Sequence, residues 1–155
     1  MFKTMRRQDR QVSGAEVAVI LEKCEYGVLS TVNQNGYAYG VPVSYVYRDD
    51  SIYFHCANEG VKLDNIKTNN KVSFCVIGDK QSIPEKFTTA YESVIVFGQA
   101  TIIQGQEKND ALVALIEKYA PDYMEKGKEY IQKSNEKTTV VKIVIEHITG
   151  KVRPQ

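Results

Sequence analysis

The stretch Tyr26-Gly27-Val28-Leu29-Ser30-Thr31-Val32-Asn33-Gln34-Asn35-Gly36-Tyr37-Ala38-Tyr39-Gly40-Val41-Pro42-Val43-Ser44-Tyr45-Val46-Tyr47 decides the fold. Residues 26 to 32 have the β-branched and aromatic make-up of a strand. Asn33-Gln34-Asn35-Gly36 is a hairpin turn, because its closing Asn-Gly pair takes up the backbone angles that a tight turn needs. Residues 37 to 47 read as a second strand. Side chains alternate along a strand, so Tyr37, Tyr39, Val41, Val43, Tyr45 and Tyr47 share one face and Ala38, Gly40, Pro42 and Ser44 the other. One side is bulky and the other low. Arg48-Asp49-Asp50-Ser51 turns the chain again into Ile52-Tyr53-Phe54-His55, which makes a three-stranded meander.

Upstream, Ser13-Gly14-Ala15-Glu16 has the form of a capping box, and Val17, Ile20, Leu21 and Cys24 follow at helical spacing. This predicts a helix over 14 to 24. Downstream, Val61, Leu63 and Ile66 predict a short helix over 61 to 68, stopped by Asn69-Asn70, and a strand follows over 71 to 77. A loop containing Pro84 leads to a strand over 92 to 103. Its residues Ser93, Ile95, Phe97 and Gln99 lie on one face and Val94, Val96, Gly98 and Ala100 on the other, so both faces should be covered. Helices over 107 to 119 and 122 to 134, separated at Ala120-Pro121, precede a last strand over 138 to 147. Six strands in hairpin order with helices at the joints give a mostly β, α+β domain: a six-stranded antiparallel barrel with flanking helices, spanning 1 to 155 as one unit.

With 43% hydrophobic residues in 155, the chain can build a real core. Twenty Lys+Arg against 19 Asp+Glu leave a net charge of +1, which gives no field for holding nucleic acid or an anionic membrane. Apolar runs such as Ser93-Val94-Ile95-Val96-Phe97 are far too short to span a bilayer. The polar start leads into no apolar leader, so a cytoplasmic location is expected. Cys24, Cys56 and Cys75 are widely spaced and read as reduced thiols, with no zinc pattern. The ten tyrosines alternate along strands without accompanying basic residues, which is the pattern of packing and not of base stacking. No nucleotide-hydrolysis or serine-nucleophile motif is present.

Three places could carry chemistry. The low face ending at Pro42, which cannot donate a ladder hydrogen bond, suits either a flat ligand lying close to the backbone or a tightly packed helix. His55 ends a strand just before a Gly-containing loop, and serves either a ligand or the core. Neighbouring Cys56 must point to the opposite face, so the pair cannot grip one metal ion. In Asn58-Glu59-Gly60-Val61-Lys62 the free amides of a helix start meet a lysine, an arrangement that receives phosphate. The other reading is a solvated lysine, partly neutralised by Glu59 and Asp64.

These residues carry a resemblance. Met5-Arg6-Arg7 with Asp9-Arg10, Glu25-Tyr26-Gly27-Val28-Leu29-Ser30, Gly40-Val41-Pro42, Ile52-Tyr53-Phe54-His55-Cys56-Ala57, Gly60 with Lys62-Leu63-Asp64-Asn65-Ile66, Val72-Ser73-Phe74, Tyr91 to Gly98 and Ile145 to Lys151 are together specific. The chain resembles the FMN-binding split barrels typified by pyridoxamine 5′-phosphate oxidase, and within them the nitroimidazole-resistance (Nim) group. The resemblance implies that Val41, Pro42, Val43 and Ser44 lie along the flavin ring. It implies that His55, Cys56, Gly60, Val61 and Lys62 hold the ribityl phosphate, and that Ser93 reaches the ribityl or ring edge. The oxidases carry additional arginines around the phosphate, whereas here Val61 precedes Lys62 and the motif has no arginine. Phosphate binding then relies on Lys62 and backbone amides, and oxidation of pyridoxamine phosphate is not implied. The resemblance further implies a homodimer with flavin at the subunit interface. The implied reaction passes electrons from reduced nicotinamide to a small electron-poor acceptor of the nitroaromatic or quinone type. The alternative is a non-catalytic flavin- or haem-binding module, with His55 or His147 as an axial ligand.

Overall fold

The computed structural model describes residues 1–155. Its hairpin forms as the Asn-Gly turn dictates: the Asn33 N–H donates to the Tyr37 carbonyl and the Gly36 N–H to the Asn33 carbonyl, each at 2.8 Å, with Gly36 at φ 87°. In chain order the elements are β1 (Gln11–Val12), α1 (Ala15–Lys23), β2 (Tyr26–Val32), β3 (Ala38–Ser44), β4 (Val46–Arg48), β5 (Ser51–Cys56) and α2 (Val61–Thr68). They continue with β6 (Lys71–Ile83), β7 (Thr88–Ile103), α3 (Gly105–Tyr119), α4 (Met124–Ser134) and β8 (Thr139–Arg153). All pairings are antiparallel, in the order β3-β2-β6-β7-β8-β5-β4, with β1 added to β8.

The fold class is as read, an α+β open barrel, but the strands number eight and not six. One extra strand is β1, whose two residues are too few for any periodicity to show. The other arises because the expected strand over 37 to 47 breaks at Tyr45 into β3 and β4. The meander is therefore corrected as well. β3 pairs with β2 and β4 with β5, and these two hairpins form opposite edges of the sheet. One segment of chain thus joins the two edges, and the rolled sheet stays split between them.

Inward-facing residues of the strands, among them Leu29, Phe54, Phe74, Val94, Val96 and Ile143, close on Leu21 of α1 and Tyr45 to make the main core. A second cluster lies on the other side of β5 and β8, where Tyr53 and Val140 meet Ala111, Leu112 and Leu115 of α3 and Ile131 of α4. The α1 cap also differs from the reading. Gly14, at φ 56°, is the residue before the helix, and no side chain caps it. Its positive φ places the turn one residue beyond Ser13, out of reach of the capping box.

Candidate functional site

Tyr45 lies between two ladders and belongs to neither. The β2–β3 register ends at Tyr26↔Ser44, and the β4–β5 register begins at Val46↔Tyr53. Its backbone groups are buried and need partners, and α3 supplies them. The Tyr45 N–H donates to the Tyr119 hydroxyl at 2.9 Å, and the Lys118 ammonium donates to the Tyr45 carbonyl at 3.0 Å. The Tyr119 O–H is within donating distance of the Tyr45 carbonyl (2.7 Å) and of the Glu25 carbonyl. Lys118 also donates to the carbonyl of Cys24, which closes α1, at 2.6 Å, and its Nζ stands 4.0 Å from the Tyr45 ring centroid. The Tyr45 phenol, fully buried and edge-on to Phe74, donates to the Leu21 carbonyl. Burial pushes the Tyr45 phenol far above its ordinary value and pulls the Lys118 ammonium below its own.

Beyond Tyr45 the two strands separate. Continued, the β4–β5 register would place Ser44 opposite His55. Instead β3 keeps to β2, and a split opens with Val41–Ser44 on one lip and His55–Cys56 on the other. Within the split the predicted alternation holds. Val41 and Val43 pack against the main core, while Pro42 and Ser44 are exposed, as are Ala38 and Gly40. His55 is exposed, and Cys56 faces inward to the core. Surrounding protein strips water from His55 enough to lower its pKa below the ordinary imidazole value. Burial raises the Cys56 thiol, and nearby Lys62 opposes that rise.

The chain passes from the His55 lip into α2 through a loop pinned by Asn58. Its amide donates to the Glu136 carbonyl at 2.8 Å and accepts from the Thr139 hydroxyl at 2.7 Å. Gly60, at φ 142°, makes the entry turn, a conformation strained for any other residue, and no side chain caps the helix. The Gly60 carbonyl accepts from Leu63 and Asp64, so the amides of Val61 and Lys62 have no acceptor in the chain. Lys62 is half-buried and makes no ion pair. Neither Glu59 nor Asp64 forms an ion pair with it.

Ser93 is elsewhere. It stands on the outer face of β7, opposite Ile77 and Lys151, three strands from β3, or about 14 Å at ~4.8 Å per strand. That outer face is continuous with the low face of β3, through the rows Pro42–Val28–Cys75–Ile95–Thr149 and Gly40–Ser30–Ser73–Phe97–His147. Within one chain the side of Val94 and Val96 is fully covered and the other side only in part, leaving Ile95 40% and Phe97 37% exposed. Over Phe97 and His147 lies the Phe2 ring, stacked on the imidazole at 4.8 Å and 8°, and His147 Nε2 has no hydrogen-bond partner.

Sequence reasoning thus located both lips and the α2 entry, and missed Lys118, Tyr119 and the Phe2 stack. A lysine in the last turn of α3 reads as a cap of its own helix, and nothing local shows that it closes α1 instead. The pyridoxamine 5′-phosphate oxidase family model matches residues 13–152. No curated protein matches the sequence. Among solved structures, a candidate 5-nitroimidazole antibiotic resistance protein from Bacteroides thetaiotaomicron is 21% identical, with TM-score 0.75, covering 92% of this chain and 86% of its own. The flavocytochrome Anf3 from Azotobacter vinelandii is 20% identical, with TM-score 0.81, over 98% of this chain and 73% of its own. An FAD and haem binding protein from Mycobacterium smegmatis is 16% identical, with TM-score 0.81, over 94% and 74%. These likenesses are likenesses of fold.

Proposed function

The chain belongs to the pyridoxamine 5′-phosphate oxidase family, and from that premise we propose that it holds FMN in the split and passes electrons from reduced nicotinamide to a small electron-poor acceptor of the nitroaromatic or quinone type. The observation that carries this is the entry of α2: two amides without acceptors and an unpaired, half-buried lysine beside the open split. A cation in a first helical turn opposes the helix dipole, and an anion bound there reverses the penalty. One lysine and two amides seat a single phosphate, which favours FMN over FAD. The residues fit the rest of the group. Pro42 and the small residues beside it let a planar ring approach the β3 backbone, with Val41 and Val43 anchoring that strand to the core. His55 faces the ring from the other lip, where desolvation lowers its pKa and disfavours the charged form, and it offers a hydrogen bond. Gly60 and Asn58 fix the phosphate loop, and Cys56 backs it from the core side.

When bound, the flavin supplies hydride acceptance and one- or two-electron donation. The likeness to a resistance protein and to flavin-binding neighbours supports this reading. A second copy laid against the outer face would cover Ile95 and Phe97 and carry Ser93 toward the partner's split, as a homodimer. The test is the absorption spectrum of protein purified without added cofactor, then heating and chromatography of what is released. Released FMN supports the proposal, and nicotinamide oxidation with a nitroaromatic or quinone acceptor is assayed next. Colourless protein with no thermal shift on added FMN overturns it. A Soret band favours the second reading, haem, for which the unpartnered His147 Nε2 is the structural argument.

A further inference from the structure

Three stretches far apart in the chain meet on the outer face, at the end of the sheet where β1 joins β8. Arg10, just before β1, donates from Nη1 to the phenol oxygen of Tyr91 on β7 at 3.4 Å. Lys151 of β8 stands over the same ring, its Nζ 5.4 Å from the centroid. Ser93 lies directly opposite Lys151 in the ladder, two residues along β7 from Tyr91 and so on the same face, and Arg153 lies opposite Tyr91. All five side chains are partly exposed. Charge is not balanced there. Asp9 is taken by Arg7 through two hydrogen bonds, at 2.8 and 2.6 Å, and Glu92 and Asp79 are both taken by Lys23, at 2.6 and 3.0 Å. Lys151 and Arg153 make no ion pair, and Arg10 stands 4.0 Å from the engaged Asp9. The Tyr91 phenol registers the excess. Hydrogen bonding to Lys151, and then to Arg10, holds its pKa below the ordinary value, whereas burial pushes Tyr45, Tyr47 and Tyr119 up.

The cluster is also a set of donors. The Tyr91 oxygen accepts from Arg10, which leaves its O–H free to donate, and neither that hydroxyl nor the one of Ser93 has an acceptor in the chain. Cations and hydroxyl donors with no acceptor among them suit an anion that carries several oxygens. We propose that Arg10, Tyr91, Lys151 and Ser93 form a seat for the phosphoryl group of a nucleotide, distinct from the start of α2. Two nucleotides can supply that group: the reduced nicotinamide donor, or the flavin of a second copy, since an association that carries Ser93 toward a partner's split carries Lys151 with it. The nucleotide assignment rests on the flavin reading above, and the seat on the cluster alone.

The test titrates inorganic pyrophosphate into Lys62→Ala protein, which lacks the cation of α2, and follows the Ser93 and Lys151 amides by nuclear magnetic resonance. Both amides should shift. Lys151→Met or Arg10→Met, added to this protein, should each raise the pyrophosphate dissociation constant about ten-fold, the scale of one charge-assisted hydrogen bond. Lys151→Arg should keep most of the affinity. Amides that stay in place, or a constant that both methionine variants leave alone, overturn the seat. With Lys62 intact, Lys151→Met then separates the sources. A raised KM for reduced nicotinamide at the parent's FMN affinity identifies the donor, and a raised FMN dissociation constant identifies the flavin. Loss of pyrophosphate with neither constant changed overturns the nucleotide assignment. A parent that takes up no FMN yet binds pyrophosphate through Lys151 overturns the flavin reading and leaves the seat standing, so the two failures are told apart.

Discussion

Lys62 and His55 flank the same split with different electrostatic character, one a lysine with no ion-pair partner and the other an imidazole whose pKa desolvation lowers. Lys62→Ala should weaken FMN binding about ten- to a hundred-fold, because a charge-assisted hydrogen bond contributes ~1.5–3 kcal/mol. Titration of the apoprotein followed by flavin fluorescence checks this, and an unchanged affinity places the phosphate elsewhere. For His55 the folded pKa lies below the ordinary value of about 6.5. The unfolded chain then binds more protons in that window, so the contribution to stability is full above about pH 6.5 and is lost as pH falls through the folded pKa. The apoprotein's thermal midpoint should therefore drop between about pH 7.5 and about pH 5.5, and drop less in His55→Gln. Equal drops would assign the effect to other groups. The opposition of His55 and Cys56 was legible from strand alternation alone. Lys118 and Tyr119 were not, since they act on residues more than 70 positions away.

Among the elements, β2, β5 and α2 were legible nearly to the residue, because periodicity and turn chemistry agree there. The β3–β4 break was not legible. Side chains go on alternating through Tyr45 while the hydrogen-bonding partner changes, and alternation reports faces, not partners. The β7–β8 ladder carries its own irregularity, a bulge between Phe97 and Gly98. A Cβ built at Gly98 would stand 2.2 Å from the Val144 carbonyl, a backbone atom that cannot swing aside. Gly98→Ala should cost ~1–3 kcal/mol in urea unfolding, the usual range for overpacking. A loss well under 1 kcal/mol would mean that the bulge relaxes freely.

For the whole molecule, the open outer face calls for a cover. Ile95, Phe97 and Ile77 expose apolar surface on one continuous sheet face, which is how an association surface looks. Sedimentation should show a particle of twice the chain mass, and Ile95→Lys should shift it to the monomer and weaken FMN binding together. A monomeric parent that binds FMN fully would place the whole site within one chain. A dimer could enter the sequence reading only by resemblance, because a half-exposed apolar strand and a buried one have the same sequence pattern.

The position of β8 has a consequence for how the molecule comes into being. β8 follows every other strand of the sheet in the chain, yet it alone hydrogen-bonds the half-sheet β3-β2-β6-β7 to the hairpin β5-β4. Before it docks, the two parts, each with one lip of the split, are joined through Tyr45 and share no strand ladder. On the flavin reading, the seat is complete only once β8 has docked. Pulse-labelled chains stalled ahead of β8 should carry no flavin, however much is supplied.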